Sequence, residues 1–107
     1  LNNFSKAIPS LIKGTKLKKD NAQAYLFIGI GYGLKLMPDS AIYYLNEARQ
    51  IEPKNLEVYR NLAITYRNRQ EFDKAIEMLN EGLKYDPSNQ LFISLLNETT
   101  QMKTLKP

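Results

Sequence analysis

The chain has 107 residues, of which 24% are charged and 43% hydrophobic, a composition typical of one folded domain and not of a disordered segment. It contains no cysteine, histidine or tryptophan. These absences exclude disulfide scaffolds, thiolate or imidazole metal sites and the usual pairs of nucleophile and base, so we expect no metal, no cofactor and no enzymatic activity. The compartment stays open, with the cytoplasm favoured over export.

The segment from Leu1 to Asn21 carries five lysines and one aspartate, which together account for the formal net charge of +4. Apolar and small residues recur there at helical spacing, as Phe4, Ala7, Leu11 and Gly14. A proline inside a helix removes a hydrogen bond, so we expect this helix to begin between Ser5 and Pro9. The lysine cluster consists of Lys13, Lys16, Lys18 and Lys19. It lacks the aromatic residues that stack on bases, so a solvated end of the chain is a simpler interpretation than a nucleic-acid site.

Residues 24–37, AYLFIGIGYGLKLM, allow three interpretations: a buried strand, a glycine-rich phosphate loop or a helix. A phosphate loop requires a preceding strand and usually a Lys-Ser or Lys-Thr step, and both are missing. Tyr25, Ile28, Gly29 and Tyr32 lie at i, i+3, i+4 and i+7, which is one face of a helix. We therefore predict a helix.

A second helix follows. Its apolar face comprises Ala41, Ile42, Leu45 and Ala48. We expect Pro38 and Asp39 to form the turn before this helix, with Asp39 as its cap. We expect Pro53 to end it, because proline cannot continue a helix.

The pattern of residues 22–55 recurs, at a constant offset, in residues 56–89. Eleven aligned positions are identical, at Tyr25, Ile30, Tyr32, Asp39, Ala41, Ile42, Leu45, Asn46, Glu47, Pro53 and Asn55. Asn21, Asn55 and Asn89 follow one another at the same offset, each placed to accept a hydrogen bond from the free amides of the next helix. Each period is therefore predicted to be a helical hairpin.

Residues 90–107 predict one more helix. Ile93 and Leu96 lie in the packing register of the earlier first helices, whereas Asn97 stands where a small apolar residue is expected. The pattern indicates a terminal capping helix with a more polar face.

The two periods resemble the tetratricopeptide repeat, whose length equals this offset. The matching sets are Tyr25, Ile28-Gly29, Tyr32, Ala41, Leu45, Ala48 and Pro53, then Tyr59, Leu62-Ala63, Tyr66, Phe72, Ala75, Leu79, Gly82 and Pro87. The resemblance implies an all-α fold, a right-handed superhelical array of antiparallel helix pairs with about six helices. It implies that Gly29 lies where the two helices of a hairpin approach closely. It also implies four segments: 1–21 as the second helix of a truncated repeat, 22–55 and 56–89 as full repeats, and 90–107 as a capping helix.

Stacked repeats of this family form a concave surface lined by the first helix of each repeat, so the resemblance implies a non-catalytic protein-interaction module. The residues implied to line this groove are Gln23, Leu26, Phe27, Ile30 and Gly33 on one helix and Arg60, Asn61, Ile64, Arg67 and Asn68 on the next. The first helix is apolar all round, and the second is basic and rich in amides. A peptide or partner segment that combines an apolar stripe with acidic or carbonyl groups would suit this pair.

Simpler roles for these residues stay open. Leu26, Phe27 and Ile30 could contact another helix of the array, and Arg60 and Arg67 could form a solvated face. The four tyrosines of the repeats are expected in the core; they are Tyr25, Tyr32, Tyr59 and Tyr66.

One subclass of the family binds the acidic tails of chaperones through Lys, Arg and Asn side chains on three first helices. The corresponding residues here are Leu26, Ile30, Asn61, Leu91 and Leu95, which disfavours chaperone tails as the ligand.

Two other functions remain open. The chain could self-associate end to end through Ala7 and Leu11 of its incomplete first repeat, or bind nucleic acid or an acidic partner through the lysine cluster. No membrane span is expected, because the uncharged run between Asp20 and Lys35 is too short to cross a bilayer.

Overall fold

The structure, a computed structural model, describes residues 21–105, and every regular element among them is an α-helix. The five helices are α1 (Ala22–Leu34), α2 (Pro38–Ile51), α3 (Leu56–Asn68), α4 (Phe72–Tyr85) and α5 (Gln90–Leu105). They divide into two compact units: unit 1, up to Pro53, contains α1 and α2, and unit 2, from Lys54, contains α3, α4 and α5. The helix predicted before Asn21, with its lysine cluster, lies outside the described residues.

The predicted caps at Asn21, Asn55 and Asn89 and the predicted end of α2 before Pro53 are confirmed. The side-chain oxygens of Asn21, Asn55 and Asn89 each accept a hydrogen bond from a backbone N–H two or three residues later, at 3.1, 3.0 and 3.0 Å. Such caps satisfy amides that have no partner within the helix. Helices α2 and α4 end two residues before Pro53 and Pro87.

The turn between α1 and α2 lies earlier than predicted. Lys35, Leu36 and Met37 make the connection, and Pro38 is the first residue of α2. Asp39 therefore lies inside the helix, and its prediction as the cap was wrong. Proline is favoured at the first helical position because its missing N–H would have no intrahelical partner there.

Helices α1 and α2 pack closely against each other at Gly29. A Cβ atom at this position would lie 2.6 Å from Leu45 Cγ, far inside van der Waals contact. Glycine costs about 1 kcal/mol relative to alanine in a helix interior, so its presence here needs a packing reason. The predicted reason, the close approach of the neighbouring helix, is confirmed.

Four tyrosines form an aromatic cluster across the α1–α2 interface of unit 1. The ring of Tyr44 stacks on Tyr25 and on Tyr32, with centroids 6.2 and 5.6 Å apart, and Tyr43 meets it edge-on at 5.1 Å. Burial raises the pKa of Tyr44 above its ordinary value, and repulsion from the phenolates of Tyr32, Tyr43 and Tyr25 raises it further. The cluster therefore favours a neutral phenol.

The alkaline stability of the chain should depend on Tyr44. Because the folded pKa exceeds the unfolded value of about 10, the neutral phenol stabilises the fold fully below that value, and the contribution is lost as the pH rises through the folded pKa. Thermal melts of the wild type and Tyr44→Phe from about pH 8 to about pH 11 should diverge, with the wild type losing more stability. A constant difference between the two would contradict this assignment.

In unit 2, α4 packs against both α3 and α5. The side chains that are fully buried in this unit include Val58, Leu62, Leu79, Phe92 and Thr99. The predicted register of α5 was wrong in part, because Phe92 rather than Ile93 is the buried aromatic or aliphatic residue of its first turn. The ring of Phe92 lies over Gly82 of α4, at the place where a Cβ atom would stand.

The all-α fold class is confirmed, with five described helices against about six predicted. Of the four tyrosines expected in the core, Tyr59 is buried, whereas Tyr25, Tyr32 and Tyr66 are half-buried. Within residues 21–105, no helix has the length and apolar character needed to cross a membrane.

Candidate protein-binding face

The α1 face, defined as Gln23, Leu26, Phe27, Ile30 and Gly33, is only partly accessible. Leu26 is 4% exposed, so it cannot offer its side chain to a partner, contrary to its predicted role. Phe27 and Ile30 are half-buried, and Gln23 is exposed. A Cβ atom at Gly33 would meet open space, because no atom beyond its chain neighbours and the nearby backbone of its own helix lies within 4 Å.

The α3 face, defined as Arg60, Asn61, Ile64, Arg67 and Asn68, combines guanidinium groups with an aliphatic side chain. These positions are spaced at i, i+1, i+4, i+7 and i+8, so they share one side of the helix. All but Asn68, which is exposed, are half-buried. The α3 face belongs to unit 2 and the α1 face to unit 1.

Arg60 and Asn61 are held by their own helix. A terminal nitrogen of Arg60 donates to Glu57 Oε2 at 2.8 Å, and the Asn61 amide donates to the carbonyl of Glu57 at 2.7 Å. The Nε–H of Arg60 is buried without an acceptor among the described residues. A guanidinium group offers five N–H donors in a fixed plane, so Arg60 retains donors for a further acceptor.

Arg67 connects α3 to α5. Its Nη1 lies 3.5 Å from Glu98 Oε2, at the long limit of a hydrogen bond, with the Arg67 side chain 23% exposed and that of Glu98 63% exposed. Glu98 was missed by the sequence analysis as part of this face. It occupies the same repeat position as Ile64, so the repeat register already placed it on the equivalent side of α5.

Helix α5 adds an apolar stripe. Leu91, Leu95, Met102 and Leu105 follow one another around Glu98 at spacings of three or four residues, and all except the half-buried Leu95 are exposed. The sequence analysis used Leu91 and Leu95 only to argue against chaperone tails. The exposed residues of this stripe, Leu91, Met102 and Leu105, give unit 2 an apolar surface on the helix that carries Glu98, the partner of Arg67.

A separate cavity of about 360 Å³ lies in unit 2, and none of the residues around it is a predicted site residue. It is lined by Gln70, Glu71, Phe72, Asp73, Lys74 and Lys103. Its charged groups pair with one another, as in the ion pair of Lys103 with Asp73 at 2.6 Å and that of Lys74 with Glu71 at 3.3 Å. Nor do residues 21–105 contain a group of acidic side chains that could hold a metal ion.

The tetratricopeptide repeat model matches residues 37–98, which is more than half of the chain. The chain belongs to the tetratricopeptide repeat family. Tetratricopeptide repeats are protein–protein interaction modules, and the family and its structural neighbours are binding and scaffold modules. No curated protein sequence matches the chain.

Several solved tetratricopeptide structures share this fold. The MamA protein is 25% identical, with a TM-score of 0.90 over 95% of this chain and 56% of its own, so the chain spans little more than half of that relative. The first tetratricopeptide domain of Spaghetti (RPAP3), bound to the HSP90 peptide SRMEEVD, is 16% identical, with a TM-score of 0.87 over 96% of this chain and 84% of its own. The TPR2B domain of yeast Sti1, in a pHsp70 complex, is 18% identical, with a TM-score of 0.87 over 94% and 86%.

Proposed function

We propose that this tetratricopeptide chain is a non-catalytic scaffold or adaptor that captures segments of other proteins, with the α1 face of unit 1 and the α3 face of unit 2 each acting as a binding surface. The repeats would run over residues 22–55 and 56–89, with 90–107 as a capping helix. One observation supports the proposal above the others: two arginines flank Ile64 on one side of α3, and their donors are incompletely used.

The chemistry of the α3 face indicates the kind of segment it would bind. Guanidinium groups make short, charge-assisted hydrogen bonds to carboxylates and also bind backbone carbonyls. Ile64, together with Leu91 and Leu95, would contact the apolar side chains of the same segment. The ligand is therefore an extended or helical segment in which acidic and apolar residues alternate.

Chaperone tails such as the HSP90 peptide bound by Spaghetti (RPAP3) fit this face poorly. Leu91 and Leu95 stand where a clamp for a terminal carboxylate needs cationic side chains. Leu91 is exposed and Leu95 half-buried, so α5 presents apolar side chains at these two positions. An internal acidic segment fits better than a chain terminus.

Replacing Ile30 by Asp should abolish partner capture. The change places a carboxylate on the apolar α1 face, where desolvating it on binding is costly. Ile42→Asp is the matched control, because it makes the same substitution at a half-buried position of α2 that is outside the face. The measurement is affinity capture from the native lysate with the wild type, Ile30→Asp and Ile42→Asp, followed by identification of the proteins lost.

Circular dichroism melts separate lost binding from lost folding in these variants. The proposal requires that Ile30→Asp melts no lower than Ile42→Asp and yet loses the partners that Ile42→Asp keeps. Equal capture by the wild type and Ile30→Asp would refute the α1 face as a binding surface, and equal capture by the wild type and Arg60→Glu would refute the α3 face.

A further inference from the structure

The turn between α1 and α2 exposes an unusual set of apolar side chains. We call residues 34–37 the apolar tip. Leu36 is 87% exposed, Met37 44% and Leu34 40%, and the fourth residue, Lys35, is exposed as well. Isolated exposed apolar residues are ordinary on protein surfaces, whereas three within four residues at a protruding turn are not.

Unit 2 provides a comparison within the same chain. Its equivalent turn, one repeat later, consists of Asn68, Arg69, Gln70 and Glu71. Leu36 and Gln70 both have positive φ angles, of 59° and 63°. The amides of Met37 and Glu71 both donate to the carbonyl five residues earlier, at 2.9 Å. The two turns thus have the same backbone conformation, but three of four side chains are apolar in unit 1 and all four are polar in unit 2.

This comparison shows that folding does not require the apolar tip. The same turn forms with polar residues in unit 2, so its hydrogen bonds do not depend on leucine or methionine. Leucine is also a poor residue for a left-handed conformation, which favours glycine and asparagine. Leu36 therefore occupies an unfavourable backbone position with a side chain that packs on little of its own chain, and an external contact explains this arrangement.

We propose that the apolar tip inserts into the surface of a lipid bilayer. Lys35 is the one charged residue of the apolar tip and would be attracted to anionic lipids, while the nearest acidic residue, Asp39, lies in the first turn of α2, outside the tip. Leu34, Leu36 and Met37 would lie among the acyl chains nearest the headgroups, which requires no membrane-spanning helix.

The shape of the tip favours a bilayer over a protein pocket. Three apolar side chains project from a turn that joins two helix ends, and a bilayer surface accommodates such a projection without a matching cavity. Lys35 lies in the middle of the apolar tip, where a protein pocket would need a dedicated acidic partner. At a membrane, a lysine stem lies along apolar surface while its ammonium reaches the lipid phosphates. Tyr43, 59% exposed on α2, has the amphipathic side chain typical of the headgroup region.

A flotation assay with vesicles tests the proposal. The wild type should float with vesicles of equimolar phosphatidylcholine and phosphatidylserine, and less with phosphatidylcholine alone. Leu36→Gly removes the most exposed side chain, and should lower partitioning about tenfold. The triple variant Leu34→Asn, Leu36→Gln, Met37→Glu gives the tip the residues of unit 2, and should abolish flotation.

Gln70→Gly is the matched control, because it relieves the same backbone conformation in unit 2 without changing the apolar tip. Both glycine variants should melt at a higher temperature than the wild type, yet only Leu36→Gly should lose vesicle binding. Absence of wild-type flotation would overturn the proposal. So would equal flotation of the wild type and the triple variant, which would attribute binding to the lysine cluster. A third outcome would also overturn the proposal: the wild type does not float but self-associates, and the triple variant loses this self-association. The apolar tip would then bind a second copy of the chain.

Discussion

Phe92→Ala is expected to lower the free energy of unfolding by about 3–5 kcal/mol, a large part of the stability of a domain this size. Phe92 is fully buried, and its ring fills the space over Gly82 between α4 and α5. Truncation leaves a cavity that neighbouring side chains cannot fill without moving the helices. Leu91→Ala is the control on the same helix: its side chain is exposed, and the expected loss is about 0.5 kcal/mol or less.

Gly82→Ala should destabilise the same contact by overpacking it, whereas Phe92→Ala leaves a cavity. A methyl group at this position would collide with the Phe92 ring, and overpacking of this kind typically costs about 1–3 kcal/mol. Alanine also favours the helix by about 1 kcal/mol over glycine, so the net loss is smaller than the collision alone would give. Shortening the aromatic residue in the double variant Gly82→Ala, Phe92→Leu should relieve the collision.

Urea unfolding, monitored by circular dichroism, gives the free energies of unfolding of the wild type, Gly82→Ala, Phe92→Leu and the double variant. The interaction between Gly82→Ala and Phe92→Leu should be favourable by about 1 kcal/mol or more, because the two changes compensate in volume. Additive effects would show that the α4–α5 contact tolerates a methyl group, and would contradict the packing described here.

The repeat register predicted the helices and their caps because those features depend on local chemistry. Asn21, Asn55 and Asn89 cap their helices through side-chain oxygens that reach amides of the first turn, so spacing alone identified them. The close contact at Gly29 was also expected, because the family resemblance implies that the two helices of a hairpin approach closely at this position.

The burial of α1 was not predictable, because the helix is apolar on every side. Periodicity assigns a buried face only when polar residues mark the exposed one. Leu26 and Ile30 therefore appeared equivalent in the sequence, yet Leu26 is buried and Ile30 half-buried. The burial of Phe92 was missed in the sequence, although the repeat indicates it. Ala24, Val58 and Phe92 share one repeat position, and all three are buried.

The candidate face followed from the family resemblance, which assigns the groove to the first helix of each repeat, but its ion pair did not. Position 98 corresponds to Ile64, so its side of α5 was fixed by the repeat. Whether Glu98 reaches Arg67 depends on side-chain conformations and on how α5 packs, which a repeat pattern does not contain. The structure shows this contact, in which Glu98 competes with any acidic ligand for Arg67.

Arg67→Glu is expected to weaken partner capture about a hundredfold. The change removes a charge-assisted hydrogen bond to the ligand, worth about 1.5–3 kcal/mol, and places a second carboxylate beside Glu98. Repulsion between the two carboxylates could also destabilise the fold, so loss of capture by this variant alone does not separate binding from stability. The measurement is capture from one lysate beside the wild type, with Arg69→Glu as the control for an arginine outside the face.

The swapped variant Arg67→Glu, Glu98→Arg separates the two effects. It restores opposite charges between α3 and α5 and should recover the melting temperature, but it moves the cation off the α3 face and should not recover capture. Glu98→Gln should increase partner capture. An exposed ion pair contributes only about 0–1 kcal/mol, so its loss hardly changes stability, while Arg67 becomes fully available to a ligand carboxylate. Increased capture by Glu98→Gln, together with no capture by the swapped variant, would identify Arg67 as a residue that binds the acidic group of the partner; unchanged capture in both would exclude it.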